Sequence, residues 1–108
     1  MNPFDTRELG KTGVHVTQLG FGGAGIGELW GRLPEEQVQD TLKEAWQAGV
    51  RYYDTSPWYG RGLSELRTGH ALRERPRDQF VISSKVGRLL SLPKDSASLD
   101  RSPWVGGL

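Results

Sequence analysis

Three residues with complementary proton chemistry lie where two predicted strands end and in the loop between them. Asp54 ends an apolar segment over 50–54, Tyr59 follows in the next loop, and Lys85 ends a segment over 79–85. Catalytic groups of α/β proteins gather at such strand ends. Because adjacent parallel strands lie about 4.8 Å apart, we expect Asp54 and Lys85 to pair and Tyr59 to lean over both.

These side chains suit a proton transfer that accompanies hydride transfer. A tyrosine phenol has a pKa of about 10, and a neighbouring ammonium group lowers it by favouring the phenolate. With Asp54 holding Lys85 charged, Tyr59 would protonate a carbonyl oxygen, or take the proton from an alcohol in reverse. No side chain supplies hydride, so a nicotinamide cofactor is implied. An ordinary ion pair beside a loop aromatic explains the same residues equally well.

The elements that position these residues begin with a predicted β-hairpin. Extended segments over 7–9 and 14–16 flank a glycine-containing turn, which is typical of a hairpin. A short strand over 18–22 follows. Next comes a loop that contains Gly23, Gly25, Gly27 and Gly31.

Two helices then alternate with the two strands that carry the site. Pro34 suits a first helical turn and Gly49 a helix end, with Val38, Leu42, Ala45 and Trp46 at helical spacing between them. Ser64 is expected to cap a second helix that ends by Pro76. The apolar residues of that helix are Leu66, Ala71 and Leu72. This alternation predicts parallel strands joined by right-handed crossovers, and irregular chain beyond residue 90.

Two segments resemble phosphate-binding motifs but lack the surrounding elements that such motifs need. Residues 20–25 match G-x-G-x-x-G, but a dinucleotide fingerprint needs a helix to start there, and none is expected before about Leu33. We interpret the segment as a flexible strand-to-helix loop whose glycines let a flat ligand approach the backbone. The residues over 10–12 resemble part of a P-loop without its first glycine, and the hairpin turn explains them better.

Composition excludes several classes of function. The net charge is +1, from 14 basic and 13 acidic residues that are well mixed, so no nucleic-acid or membrane partner is expected. The absence of cysteine excludes disulfides and thiolate metal sites, and we predict no metal centre. No signal peptide or membrane-spanning stretch is recognised, which favours a cytoplasmic protein.

Three segments, YYDTSPWYG, VISSKVG and RELGKTGVHVTQLGFGG, resemble the aldo-keto reductase superfamily in order and spacing. The resemblance covers nearly all of the first 90 residues. It implies an α/β fold, namely the N-terminal part of a TIM (β/α)₈ barrel preceded by a β-hairpin and truncated after about three strands. The chain would then be a single partial domain over 1–108, with the hairpin at 7–16, three βα units over 17–90 and a loop over 91–108. The implied cofactor is NADP or NAD, bound without a Rossmann motif.

The resemblance also assigns roles to individual residues. Tyr59 becomes the general acid/base, Lys85 the cation that assists it, and Asp54 the support of Lys85 and a neighbour of the cofactor. The loop after the first barrel strand would lie near the nicotinamide, and here it matches Gly22, Gly23 and Ala24. Many members carry larger or hydroxylated residues at the last two of these positions.

Aromatic residues in the loops suggest a wall for a small carbonyl or sugar substrate. Three tryptophans fall in loops at the end of the barrel where substrate would enter, namely Trp30, Trp58 and Trp104. The alternative is that they pack against one another. Trp46 is predicted to lie in the core, and His15 and His70 to be solvated or structural. A solvated surface is expected for Arg61, Arg67, Arg73, Arg75 and Arg77.

A narrower resemblance is carried by GGAGIGELWG, DTSPWYGRGLSE and the terminal PWVGGL. These segments look like the branch that oxidises aldoses such as L-fucose or D-threo-aldoses, with pyridoxal 4-dehydrogenase nearby. The branch implies frequent oxidation to a lactone and use of NAD by some members. Two alternatives stay open: a non-enzymatic cofactor-binding or redox-sensing subunit of the same fold, as in potassium-channel β-subunits, and a self-standing βαβαβ module.

The 108-residue chain by itself is expected to be inactive and marginally stable. A complete barrel needs about 250 residues, and the superfamily's catalytic histidine would follow Leu108. Three parallel strands without neighbours also leave an open edge. The measurement is an assay of the purified 108-residue polypeptide with aldehydes, sugars and both nicotinamide cofactors, and turnover would contradict the expectation.

Overall fold

The structure, a computed structural model, describes residues 2–95 of the chain. Trp104, the PWVGGL segment and most of the loop expected over 91–108 lie outside the described residues. The strands are β1 (Thr6–Glu8), β2 (His15–Thr17), β3 (Phe21–Gly22), β4 (Tyr52–Asp54) and β5 (Val81–Ser83). The helices are α1 (Glu35–Ala48) and α2 (Leu63–Leu72), and single 3-10 turns occupy Gly25–Gly27 and Arg77–Gln79.

The predicted hairpin is confirmed, since β1 and β2 pair antiparallel with Thr6 opposite Thr17. Thr17 also accepts a hydrogen bond from the Arg51 backbone N–H at 3.2 Å. Because Arg51 comes just before β4, the hairpin lies at the amino end of the parallel strands. The residues that could do chemistry lie at the opposite end.

The predicted parallel strands are also confirmed, in the order β3-β4-β5. Each strand is shorter than the sequence suggested. Gly22, Asp54 and Ser83 are in register across the three strands, so they form one row on the same face of the sheet. Within the described residues the sheet is open and does not close into a barrel.

The other face of the sheet packs against the helices. Tyr53 is fully buried there, and its hydroxyl donates to the Val50 carbonyl at 3.0 Å. The core cluster around it consists of Ile26, Val38, Leu42, Trp46, Val50, Leu72 and Phe80. Strand alternation therefore places Tyr53 in the core and its neighbour Asp54 on the open face.

Helix α1 forms as predicted. It begins directly after Pro34 and ends at Gly49, whose φ of 116° suits glycine. Val38, Leu42 and Trp46 are its buried residues. The prediction that Trp46 lies in the core is confirmed.

Helix α2 departs from the prediction in two ways. Gly62, with a φ of 98°, precedes the helix, and Ser64 lies inside the first turn rather than capping it. Leu66, expected on the apolar face, is 71% exposed. The buried positions are instead Ser64, Arg67, Thr68 and Leu72. The buried face is thus mostly polar, which an apolar-periodicity argument cannot detect.

The glycine-rich loop after β3 is packed against the rest of the protein, which its glycine content did not predict. Ile26, Gly27 and Leu29 are buried. A Cβ added at Gly27 would lie 2.6 Å from the backbone carbonyl carbon of Tyr59. Only glycine permits the loop to approach the turn that holds Tyr59 so closely. No helix within residues 2–95 is both long enough and apolar enough to cross a membrane.

Gly27→Ala is expected to destabilise the protein by about 1–3 kcal/mol, because the new methyl group must push two backbone segments apart. The matched control is Gly69→Ala, since Gly69 lies within α2 and no atom of residues 2–95 outside its own helix backbone and chain neighbours lies within 4 Å of its Cβ position. That substitution should raise the free energy of unfolding by roughly 0.5–1 kcal/mol, because alanine has a higher helix propensity than glycine. Urea unfolding of both variants measures the difference, and equal stability of the two would contradict the packing argument.

Candidate active site

The structure brings Asp54 and Lys85 together at the carboxyl ends of β4 and β5. The Lys85 Nζ lies 2.9 Å from the Asp54 Oδ2 and also donates to the Thr55 carbonyl oxygen at 2.8 Å. The side chains are 46% and 35% exposed, respectively. The lysine is therefore held at two points and still faces solvent.

A chain of hydroxyl groups supports the other oxygen of Asp54. The Ser83 hydroxyl donates to the Asp54 Oδ1 at 2.6 Å, and the Tyr52 hydroxyl lies 3.0 Å from the Ser83 Oγ. Because the serine proton points to the carboxylate, the tyrosine donates to the serine. Sequence reasoning missed Ser83 and Tyr52, although period-two alternation places both on the face of Asp54.

Opposing influences set the charge states of this pair. Burial alone would raise the pKa of Asp54, but hydrogen bonds from Ser83 and Lys85, with the lysine charge, hold that pKa below its usual value. Burial alone would lower the pKa of Lys85, but hydrogen bonds and charge interactions with Asp54 and Tyr59 hold that pKa above its usual value. Both groups are therefore charged at neutral pH.

Tyr59 lies beside this pair in a tight turn between β4 and α2. The Lys85 Nζ is 4.7 Å from the centre of the Tyr59 ring. The Tyr59 N–H donates to the Ser56 carbonyl at 3.1 Å, and its carbonyl accepts from the Ser64 N–H at 3.0 Å. Gly60 has a φ of 72° and its Cβ position contacts the Gly27 carbonyl. The three residues predicted to act together are thus adjacent.

A buried hydroxyl pair ties α2 to the ends of β3 and β4. Ser64 donates to the Gly23 carbonyl at 2.7 Å, so the Thr55 hydroxyl, also 2.7 Å away, donates to Ser64. The Gly23 N–H donates to the Asp54 carbonyl at 2.7 Å. Since the Thr55 carbonyl holds Lys85, these bonds fix the backbone on which the ion pair is built.

The residues expected near a nicotinamide differ in their surroundings. Gly22 is exposed beside Asp54, and no atom of the described residues lies within 4 Å of its Cβ position. Gly23 is buried, with both backbone groups bonded within the chain, and a Cβ there would lie 2.7 Å from the Asp54 carbonyl oxygen. Ala24 is half-buried. Open space for a ligand is therefore found beside Gly22, whereas packing explains the glycine at position 23.

A cavity of about 250 Å³ opens beside Tyr59 and Lys85. Its other lining residues are Ser56, Pro57, Trp58, Val86 and Arg88. The Trp58 Nε1 is buried without a hydrogen-bond partner among the described residues. Trp30 is 70% exposed and lies against Gly25, where a Cβ would be 3.6 Å from its ring. The structure thus places Trp58, and not Trp30, in the wall of this cavity.

The remaining polar candidates lie away from the cavity. His15 is exposed in the hairpin, 3.7 Å from Glu8, and His70 is exposed on α2. Within residues 2–95, no group of three or more metal-ligating side chains is close enough to hold a metal ion. The prediction that Arg67 is solvated is wrong, because its side chain is only 9% exposed.

The chain belongs to the Aldo/keto reductase family, whose sequence model matches residues 18–104. It is 50% identical to a D-threo-aldose 1-dehydrogenase from Pseudomonas sp over 72% of this chain and 24% of that protein. It is 39% identical to a pyridoxal 4-dehydrogenase from Microbacterium luteolum over 96% of this chain and 32% of that protein. The narrower resemblance to this branch is therefore confirmed, and the chain spans about a quarter to a third of these relatives' length.

The fold has counterparts among solved structures. An aldo-keto reductase from Bacillus halodurans in its holo form matches with a TM-score of 0.70 and 32% identity, over 80% of this chain and 27% of that one. This likeness identifies the open sheet and its two helices as part of a TIM-barrel-type α/β fold.

The Asp54–Lys85 pair predicts a pH-dependent contribution to stability. A lowered aspartate pKa stabilises the fold above the usual value of about 3.9, and a raised lysine pKa stabilises it below about 10.4. The contribution should be flat between these limits and fall away outside them. Because both groups are partly exposed, its size should stay below about 1 kcal/mol.

Urea unfolding of the wild type and of Asp54→Asn across this pH range measures the contribution. Asp40→Asn, at an exposed position of α1, is the matched control: it keeps the Asp54–Lys85 pair and should retain the wild-type pH dependence, which Asp54→Asn should lose. The same pH dependence in both variants would contradict the assignment to the Asp54–Lys85 pair.

Proposed function

We propose that this chain carries the proton-transfer part of an NAD(P)-dependent oxidoreductase that interconverts a carbonyl group and an alcohol. The observation that supports this most directly is the Lys85 ammonium group, which lies between the Asp54 carboxylate and the Tyr59 ring. Tyr59 and Lys85 line one cavity, and Asp54 is bonded to Lys85. Family membership supports the reaction class.

Tyr59 is the proposed general acid and base. In the direction of reduction, its hydroxyl would give a proton to the carbonyl oxygen. In oxidation, it would take the proton from the alcohol. A neighbouring ammonium group stabilises the phenolate that forms, and this is the role we give to Lys85. Asp54, locked by Ser83, keeps Lys85 charged and in place.

Among residues 2–95, no atom lies within 4 Å of the Cβ position of Gly22, so the glycine leaves space that a side chain would take. We propose that Gly22, Gly23, Ala24 and Asp54 border a bound NADP or NAD molecule. When bound, the nicotinamide supplies or accepts the hydride at the reacting carbon. The protein's own contribution at this edge is to leave room and to hold the Asp54 carboxylate beside it.

The proposed substrate is a small carbonyl compound or sugar, such as an aldose. The relatives' names include a D-threo-aldose 1-dehydrogenase and an L-galactose dehydrogenase. An aromatic ring in a cavity wall gives an apolar surface for a sugar ring, and Trp58 provides one. We keep Trp30 as a second proposed substrate contact, from a neighbouring loop.

Tyr59→Phe should reduce kcat about 10²–10⁴-fold, because the proton donor is lost while the ring remains. Lys85→Met should also reduce kcat, because the ammonium group that stabilises the phenolate is lost. The matched controls are Tyr53→Phe, whose hydroxyl lies on the helix side of the sheet, and Lys43→Met, at an exposed position of α1. Both should keep wild-type activity per folded molecule.

The assay uses the longest polypeptide that carries these residues, with aldoses and aldehydes and with both cofactors. Binding of the nicotinamide is followed separately by its fluorescence. Cofactor binding with no turnover of any substrate would contradict the enzymatic proposal and favour the redox-sensing alternative. Unchanged kcat in Tyr59→Phe would contradict the role given to Tyr59.

A further inference from the structure

Arg67 is a buried cation that donates hydrogen bonds to the loop after β3 and to the start of α1. Its residue is 7% exposed. The Nε donates to the Glu35 Oε2 at 2.7 Å, one Nη to the Ile26 carbonyl at 2.9 Å, and the other to the Leu33 carbonyl at 3.1 Å. We call this set of contacts the Arg67 clamp.

The Arg67 clamp fixes both ends of one loop. Ile26 and Leu33 are the first and last residues of the segment 26–33, so one planar guanidinium group sets the distance between them. Inside the segment, Glu28 has a φ of 63° and its Oε2 accepts from the Leu33 N–H at 2.9 Å. This inward-folded conformation depends on the fixed ends.

A second layer of polar contacts supports the clamp. The Gln39 side-chain amide donates to the Glu35 Oε1 at 2.9 Å and to the Arg67 carbonyl at 3.2 Å. These bonds tie α1 to α2 at the same place. The Glu28 carboxylate also lies 3.9 Å from the guanidinium group. Since two carboxylates and two carbonyls surround Arg67, its charge is satisfied within the protein and does not serve as an anion site.

The clamp reaches Tyr59 through backbone contacts. Gly27 directly follows the clamped Ile26, and its Cβ position lies 2.6 Å from the Tyr59 carbonyl carbon and 2.7 Å from the carbonyl oxygen. Gly60 contacts the Gly27 carbonyl on the same surface. Because backbone lies against backbone at these two glycines, a shift of the loop is expected to move the backbone of Tyr59.

We propose that Arg67 is a positioning residue for the reaction. By holding both ends of segment 26–33, it keeps Gly27 packed against the Tyr59 turn, and this contact determines the position of the Tyr59 phenol. The proposal rests on the function proposed above for Tyr59. Helix α2 would then contribute to catalysis through Arg67, a residue that touches neither substrate nor cofactor.

Arg67→Lys is the first test, because a single ammonium group cannot reach the spread acceptors that the guanidinium fork satisfies. Per folded molecule, kcat should fall about ten- to a hundredfold, the size expected for a catalytic group displaced by an ångström. KM should change much less. Arg67→Met should be more severe. Arg73→Met, at the exposed end of the same helix, is the matched control and should keep wild-type kcat.

Hydrogen–deuterium exchange gives a readout that does not depend on activity. Arg67→Lys should exchange several-fold faster in segment 26–33 and in the Tyr59 turn over 56–63, with the β1–β2 hairpin unchanged. Glu35→Gln, at an exposed carboxylate, should show the same pattern more weakly. It tests the clamp even if both arginine variants fail to fold.

The outcomes separate this proposal from the proposed function. Faster exchange confined to segment 26–33, or a loss seen only in KM, would overturn the link to Tyr59. Unchanged exchange in every clamp variant would overturn the clamp itself. If the wild-type protein is inactive but the exchange pattern appears as expected, the proposed function fails while the mechanical coupling of Arg67 to Tyr59 stands.

Discussion

The register of the three parallel strands is the constraint on which the candidate site depends. It places Asp54 beside Ser83 in one row, and it brings Lys85 to the strand end next to Thr55. A shift of one residue would turn Asp54 toward the helices and Tyr53 toward the open face. Burial of Tyr53 in the core therefore stabilises the register that exposes the aspartate, so the packing of one face determines the chemistry of the other.

Polar contacts from α2 hold the loop after β3, which lies next to the strand ends that carry the candidate site. Ser64 and Arg67, on its buried face, bond to backbone groups of the loop after β3, and that loop contacts the turn of Tyr59. Buried polar groups need partners, and here the partners include backbone carbonyl groups of a loop that also packs through Ile26 and Leu29. Helix α2 thus links the loop after β3 to the end of β4 through polar contacts.

The sequence predicted those features that depend on local pattern. The periodicity of Val38, Leu42 and Trp46 and the ends at Pro34 and Gly49 were enough to predict α1, and the strand ends were enough to predict that Asp54 and Lys85 meet. The buried face of α2 could not be predicted, because Arg67 is a surface residue by type and its acceptors are backbone carbonyls of residues distant in sequence. Ser83, by contrast, was within reach of the sequence, because it lies two residues before Lys85 and so on the same face of its strand.

The two hydrogen bonds of Lys85 have a stereochemical consequence. An ammonium group has three protons in a tetrahedral arrangement, and Asp54 and Thr55 accept two of them. The direction of the third N–H is then determined by the first two, so the two acceptors together orient it. A guanidinium group is planar and has no equivalent third direction, so the site is specific for lysine by its shape as well as by its charge.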